Sequence, residues 1–146
     1  MKTHRGMTLI ELVVVMTVVA VLAAMAISSY RKSVMRANRS EAWTALLQIQ
    51  AGQEKFFMQS STYTTDLTDP PPTGLGVSLK TGGYTPNSNY VITIATTACP
   101  TGNGNCAYTA TATAAGGQVK DLAACLTYTI NSQGVKTPDE TTGCWH

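Results

Sequence analysis

The chain has 146 residues, enough for one ordinary domain and too few for a multidomain enzyme. Charged residues make up 12%, against about 25% in typical soluble domains. Thr, Ser, Gly and Ala take their place, which excludes a cytosolic enzyme's surface. A net charge of +2 is too small to imply nucleic acid, and a hydrophobic fraction of 44% excludes intrinsic disorder.

After a short basic start with Lys2, His4 and Arg5, the chain reads MTLIELVVVMTVVAVLAAMAI from Met7 to Ile27, broken only by Thr8, Glu11 and Thr17. This meets the ~20 apolar residues that a helix needs to span a bilayer core. A secretory signal peptide shares the basic start, but its apolar region is shorter, roughly 7–15 residues, and it ends at a small-residue cleavage site. Here the apolar run continues without a turn signal into SSYRKSVMRANRSEAWTALLQIQ. A plain signal anchor fits the length yet leaves Glu11 unexplained, because a carboxylate inside a membrane helix costs a few kcal/mol and points to a function.

Gly6, Met7, Thr8, Leu9, Ile10, Glu11 and Leu12, together with the basic leader and the uninterrupted apolar helix, resemble a type IV pilin precursor with a class III signal. The resemblance implies that prepilin peptidase removes residues 1–6 after Gly6. It also implies that Met7 becomes the N-methylated mature terminus and that Glu11, the fifth mature residue, serves filament assembly. Relatives usually carry Phe where this chain has Met7, a flexible apolar substitute. Many also carry a helix-breaking Gly and Pro where this chain has Ala20 and Ser28, both better helix formers. The order of leader, TLIEL, AWTALLQIQAGQEKFF, STYT and final GCW is similar to PilE-like minor pilins over most of the chain.

Physics gives Glu11 a role of its own. Cleavage exposes an α-amino group at Met7 that is charged near neutral pH, and neither it nor the carboxylate sits cheaply among apolar helices unless paired. Four residues apart on a helix, they can pair within one chain; between stacked chains the same attraction sets register. The weaker alternative is a glutamate that only reaches toward the headgroups.

Orientation is contested by charge. Arg31, Lys32, Arg36 and Arg39 follow the apolar run and outnumber the leader's Lys2 and Arg5, so positive-inside counting alone favours a cytoplasmic head. The cysteines override it. Cys99, Cys106, Cys125 and Cys144 form an even set without CxxC or nearby histidines, which reads as disulfides and an oxidising compartment. The head is then periplasmic, and the four cations face headgroups or neighbouring subunits, with contact to DNA as the minor alternative.

The helix is expected to continue to about Gln59, since no proline occurs before it and Trp43, Leu46, Leu47 and Ile49 recur at helical spacing. Phe56 and Phe57 close the apolar stripe as core residues, and Gly52 marks close packing or a bend. Residues 60–89 are a Thr-, Gly- and Pro-rich connection of functional or mobile character, with a short polyproline stretch at Pro70, Pro71 and Pro72. Strands are expected at Tyr90 to Thr97, Cys106 to Ala114 and Cys125 to Asn131, with a short edge strand from Gly134 to Thr137. In the third, Leu126, Tyr128 and Ile130 alternate with Thr127 and Thr129 to give an apolar face toward the helix. The Ala and Thr content of the second suggests a close helix approach.

These elements make an α+β protein: a leader at 1–6, a transmembrane or filament-core helix at 7–29, an amphipathic helix at 30–59, and an antiparallel β-meander head at 60–146. This agrees with the type IV pilin fold that the resemblance implies. Such a small head needs staples. Cys99 and Cys106 bracket the turn sequence PTGNGN, so they pair easily across a hairpin, and Cys125 would then tie the third strand to Cys144; four cysteines formally allow three connectivities. Trp145 completes the tail as an apolar plug.

Catalysis finds no machinery: the only histidine beyond the leader is His146, no phosphate loop follows a strand, and no nucleophile and base can be assembled. Asp139 and Glu140 lack the spacing of a calcium loop. No cofactor, metal or catalytic residue is expected. By its resemblance the chain is a structural pilus subunit, a minor pilin that helps initiate assembly and supports twitching motility or adhesion. Its partners are other pilins through their N-terminal helices, prepilin peptidase, the assembly machinery and the inner membrane. The alternatives are a major pilin, a type II secretion pseudopilin, or a filament-borne receptor for DNA or a surface.

Overall fold

A computed structural model of the chain describes residues 7–100, 102 and 104–145. The leader with Gly6, and His146, lie outside the described residues. The chain divides into two compact units, Met1–Val34 and Met35–His146. One helix, α1, runs Leu9–Ser60. It meets no Gly before Gly52 and no Pro at all, so nothing in its backbone chemistry interrupts it. Ser61 stops it by adopting a left-handed φ of 52°, with its amide donating to the Phe57 carbonyl at 2.8 Å.

In the second unit the buried residues of α1 are Arg39, Ala42, Ala45, Leu46, Ile49 and Gln53, a single stripe at helical spacing. Strands β1 (Tyr90–Ala98), β2 (Asn105–Ala114), β3 (Thr127–Asn131) and β4 (Lys136–Thr137) form an antiparallel sheet in the order β1-β2-β3-β4. Alternation places Tyr90 and Ile92, Tyr108, Ala110 and Ala112, and Tyr128 and Ile130 in one core with Ala42, Leu46 and Ile49. The opposite face carries Thr93, Thr111, Thr129 and Thr137 side by side across all four strands.

Aromatic rings extend this core. Tyr63 stacks on Phe57 at 4.6 Å between centroids and meets Tyr108 edge-on at 4.9 Å. Trp145 stacks on Trp43 at 6.2 Å and meets Tyr128 edge-on at 5.3 Å, while its indole N–H donates to the Pro138 carbonyl. Burial pushes the Tyr108 phenol up to about 12 and raises Tyr90 further.

Several expectations need correction. The third strand starts at Thr127 because Ala123–Cys125 form a 3-10 turn and Leu126 is helical in backbone, so Cys125 and Leu126 lie outside the strand. The three prolines do not extend into a polyproline segment. They form a turn in which the amides of Thr73 and Gly74 both donate to the Pro70 carbonyl, with a cis bond between Pro71 and Pro72. The connection from α1 to β1 is fastened at many points. Buried Gln53 bonds both the carbonyl and the amide of Thr64, Gly52 lies against Leu75, and the Glu41 carboxylate accepts the Asn87 amide at 2.6 Å and the Asn89 side chain at 2.7 Å. Gly83 is required in its turn. Its φ is 78°, its carbonyl accepts the Ile92 amide, and a Cβ would stand 2.6 Å from the Ile92 oxygen.

Two disulfides close the head. Cys99 joins Cys106 across the β1–β2 hairpin with Cα atoms 4.9 Å apart, and Cys125 joins Cys144 at 5.3 Å. Cys125 and Cys144 are fully buried, whereas Cys106 is exposed. Replacing Cys125 and Cys144 together by Ala should lower the unfolding free energy of the head by about 3 kcal/mol, the chain-entropy value for a loop of this size. Replacing Cys99 and Cys106 should cost less, because their loop is shorter. Denaturant titrations following Trp fluorescence of the full chain check this; equal losses would contradict it.

Candidate functional site

The first site is the start of α1. Thr8 caps the helix: its hydroxyl accepts the Glu11 amide at 3.3 Å and its carbonyl accepts the Leu12 amide. The order Thr, Leu, Ile, Glu is that of a capping box. The T-x-x-E spacing from Thr8 to Glu11 carries this signal in the sequence. Glu11 sits in the first turn, where a carboxylate also complements the helix dipole. Met7 precedes the helix, which begins at Leu9, so Met7 and Glu11 are not successive points on one helical face. Glu11 forms no ion pair among the described residues.

Around Glu11 the surface is apolar on every side. Leu9, Ile10 and Val14 are 81%, 68% and 54% exposed, and no residue in the most apolar part of the helix is buried. A continuous apolar surface of this kind is not stable in water and needs lipid or other apolar helices around it. Two hydroxyls in this stretch are satisfied within the helix: that of Thr17 donates to the Val13 carbonyl, and that of Ser28 to the Met25 carbonyl at 3.0 Å.

The second site is a buried ion pair in the head. Arg39 is not a surface cation, contrary to its grouping with Arg31, Lys32 and Arg36 in the sequence. Its Nε and Nη2 donate to both carboxylate oxygens of Asp121 at 2.7 Å, and Nη1 donates to the Gly143 carbonyl at 3.3 Å. The Arg39 and Asp121 side chains are only 6% and 5% exposed. Asp121 also accepts the Leu122 amide and the Gln118 side chain, and Gln118 donates in turn to the Met35 carbonyl. A single fork thus binds α1 to the 3-10 turn Gly116–Lys120 and to the C-terminal tail. The hydrogen bond from Arg39 holds the Asp121 carboxyl below its ordinary range, against the opposing effect of burial. The same bond raises Arg39. Sequence reasoning missed the pair because nothing local links positions 82 residues apart.

Among the described residues no three His, Cys, Asp or Glu side chains could hold a metal ion. The Asp139 carboxylate accepts the Thr141 amide.

An apolar, capped N-terminal helix with a glutamate in its first turn, and a head whose helix packs on an antiparallel four-stranded sheet, define a type IV pilin. Residues 28–129 match the family described as type IV minor pilin ComP, DNA uptake sequence receptor, and residues 1–27 match the prokaryotic N-terminal methylation motif. The chain belongs to this type IV pilin family. It is 39% identical over 61 residues to the type IV major pilin protein PilA of Myxococcus xanthus (strain DK1622), a match covering 42% of this chain and 28% of that one. The match therefore spans little more than a quarter of that relative's length. The fold is shared with a type IV pilin from Shewanella oneidensis at a TM-score of 0.53 and 20% identity, covering 77% of this chain and 98% of that one.

The ion pair makes head stability depend on acid. Because the folded-state pKa of Asp121 is depressed, its contribution is present above the ordinary carboxylate range and is lost as pH falls through the folded value. Denaturant midpoints should therefore decline below about pH 4, with a shallower decline in Asp121→Asn. At pH 7 Asp121→Ala should cost about 3–5 kcal/mol, since it leaves a buried guanidinium unpaired. Midpoints measured between pH 7 and pH 3 check both; an unchanged acid limb in Asp121→Asn would contradict the assignment.

Proposed function

We propose that this chain is a minor structural subunit of a type IV pilus, one that joins other pilins through its N-terminal helix, helps initiate assembly and supports twitching motility or adhesion. The observation that carries this reading is the exposed apolar first part of α1 with Glu11 in its first turn, since such a surface needs lipid or other apolar helices around it. The chain works as a building element and not as an enzyme. Before assembly it is held in the inner membrane by residues 7–29 with the head in the periplasm; afterwards it lies in the pilus on the cell surface. Prepilin peptidase cuts after Gly6, and Met7 is N-methylated. Loss of Lys2 and Arg5 leaves eight basic residues against eight acidic ones, so subunits pack without strong net repulsion. Mass spectrometry of sheared pili tests this reading: it should find a methylated Met7 terminus at low copy number. An intact leader on filament protein, or high abundance, would overturn processing or the minor role respectively.

The match over residues 28–129 favours a second reading, in which the head also binds DNA from the filament. Titration of the full chain in detergent with duplex DNA at rising salt would show a steep loss of affinity if phosphates are contacted.

Glu11→Ala should leave the protein made, inserted and cleaved, yet absent or strongly reduced in pili. Assembly needs the carboxylate to offset a neighbour's Met7 ammonium in apolar surroundings, where an unpaired charge costs several kcal/mol. Loss of an intramembrane charge eases residence in the bilayer, so mature mutant protein should accumulate in the inner membrane. A normal ratio in sheared filaments would remove Glu11 from the assembly mechanism.

A further inference from the structure

Just beyond the apolar helix stands a group of cations that neither the assembly mechanism nor the head's ion pair uses. We propose that Tyr30, Arg31 and Lys32 form a cationic collar that binds anionic phospholipid headgroups while the subunit waits in the bilayer. The proposal rests on the membrane-spanning reading given above. Leu9 to Ile27 covers about 30 Å as a helix, the thickness of a bilayer's hydrocarbon core. With Leu9 at one edge of the core, residues 30–32 reach the headgroup level of the other. Tyr30 is 71% exposed, and an aromatic ring with a polar tip is the ordinary occupant of that level. Arg31 and Lys32 are exposed and carry no ion pair among the described residues.

The chain itself offers these cations little to pair with. No acidic residue occurs between Glu11 and Glu41. Glu41 is committed to Asn87 and Asn89, Asp66 to the amides of Thr68 and Asp69, Asp121 to Arg39, and Asp139 to Thr141. Among the described carboxylates downstream of the apolar segment, only Glu54 and Asp69 accept no hydrogen bond, so a second copy presents few free acids. A phosphate-bearing leaflet presents many. Arg39, which the sequence places in the same basic run, is withdrawn from this set into the head.

The test reconstitutes the full chain in vesicles of phosphatidylcholine with phosphatidylglycerol and compares spin-labelled phosphatidylglycerol with spin-labelled phosphatidylcholine in the lipid shell around the helix. Insertion is established separately by carbonate-resistant flotation. The wild-type chain should select the anionic lipid about fivefold for each cation a lipid contacts, the factor that one cation contributes near an anionic surface, and 0.5 M salt should weaken the selection. Arg31→Gln with Lys32→Gln should abolish it. Lys55→Gln with Lys80→Gln removes the same charge from exposed positions in the head and should leave it unchanged. An inserted wild-type chain without selectivity, or a collar variant that keeps it, overturns the collar alone. A chain that does not float with the vesicles overturns the membrane reading and the collar with it.

Discussion

One helix has to satisfy two different solvents, and the placement of every polar group follows from that constraint. In its first part α1 is apolar on all faces, so each polar atom must be answered from within the helix or by a neighbour. Thr8 caps the amide of Glu11, while Thr17 and Ser28 return their hydroxyls to carbonyls of the preceding turn. Among the described residues of this part Glu11 is the one charged group, and it forms no ion pair within the chain. In its second part the same helix needs a single stripe, and the stripe is narrow: Ala42, Ala45, Leu46 and Ile49. Small residues there bring the helix and a sheet with Ala110 and Ala112 into one core.

A core of alanine and tyrosine buries limited aliphatic area, so the head depends on crosslinks. They concentrate in one corner. Arg39 reaches both Asp121 and Gly143, which lie close in sequence to Cys125 and Cys144, the ends of the buried disulfide. Tyr128 donates its hydroxyl to the Cys144 carbonyl, and Trp145 closes over Tyr128 against Trp43. The tail is thus held by a covalent bond, a hydrogen bond from the paired Arg39 and an aromatic cluster, none of which needs long regular structure. The hairpin bridge acts only locally.

The sequence was most informative where periodicity or composition carries the physics. The long helix, the strands from Tyr90 and Cys106, and the alternation of Tyr128 and Ile130 all follow from spacing that survives in the structure. Glu11 was conspicuous because a charge in an apolar run is costly. Contacts between distant residues were not legible. Arg39 looked like its neighbours Arg31 and Arg36, and only the fold brings Asp121 to it. The 3-10 turns around Gln118 and Cys125 escaped because they hold few residues and have no periodic signal. Three consecutive prolines suggested an extended segment, whereas the closing hydrogen bonds from Thr73 and Gly74 to Pro70 make a turn.

The same constraint bears on how the rod behaves when it moves from lipid to filament. The apolar stretch carries Ala20 and Ser28 and neither Gly nor Pro, and α1 is continuous through both. Ala in place of Gly favours helix by about 1 kcal/mol, and any ordinary residue in place of Pro by about 3 kcal/mol. Ser28 further keeps its hydroxyl on the Met25 carbonyl, inside the helix. Unwinding this stretch would strip backbone amides and carbonyls of partners in surroundings that contain almost no other hydrogen-bonding group. Both contributions oppose local melting. In apolar surroundings the chemistry of this stretch therefore favours an intact helix through Ala20 and Ser28.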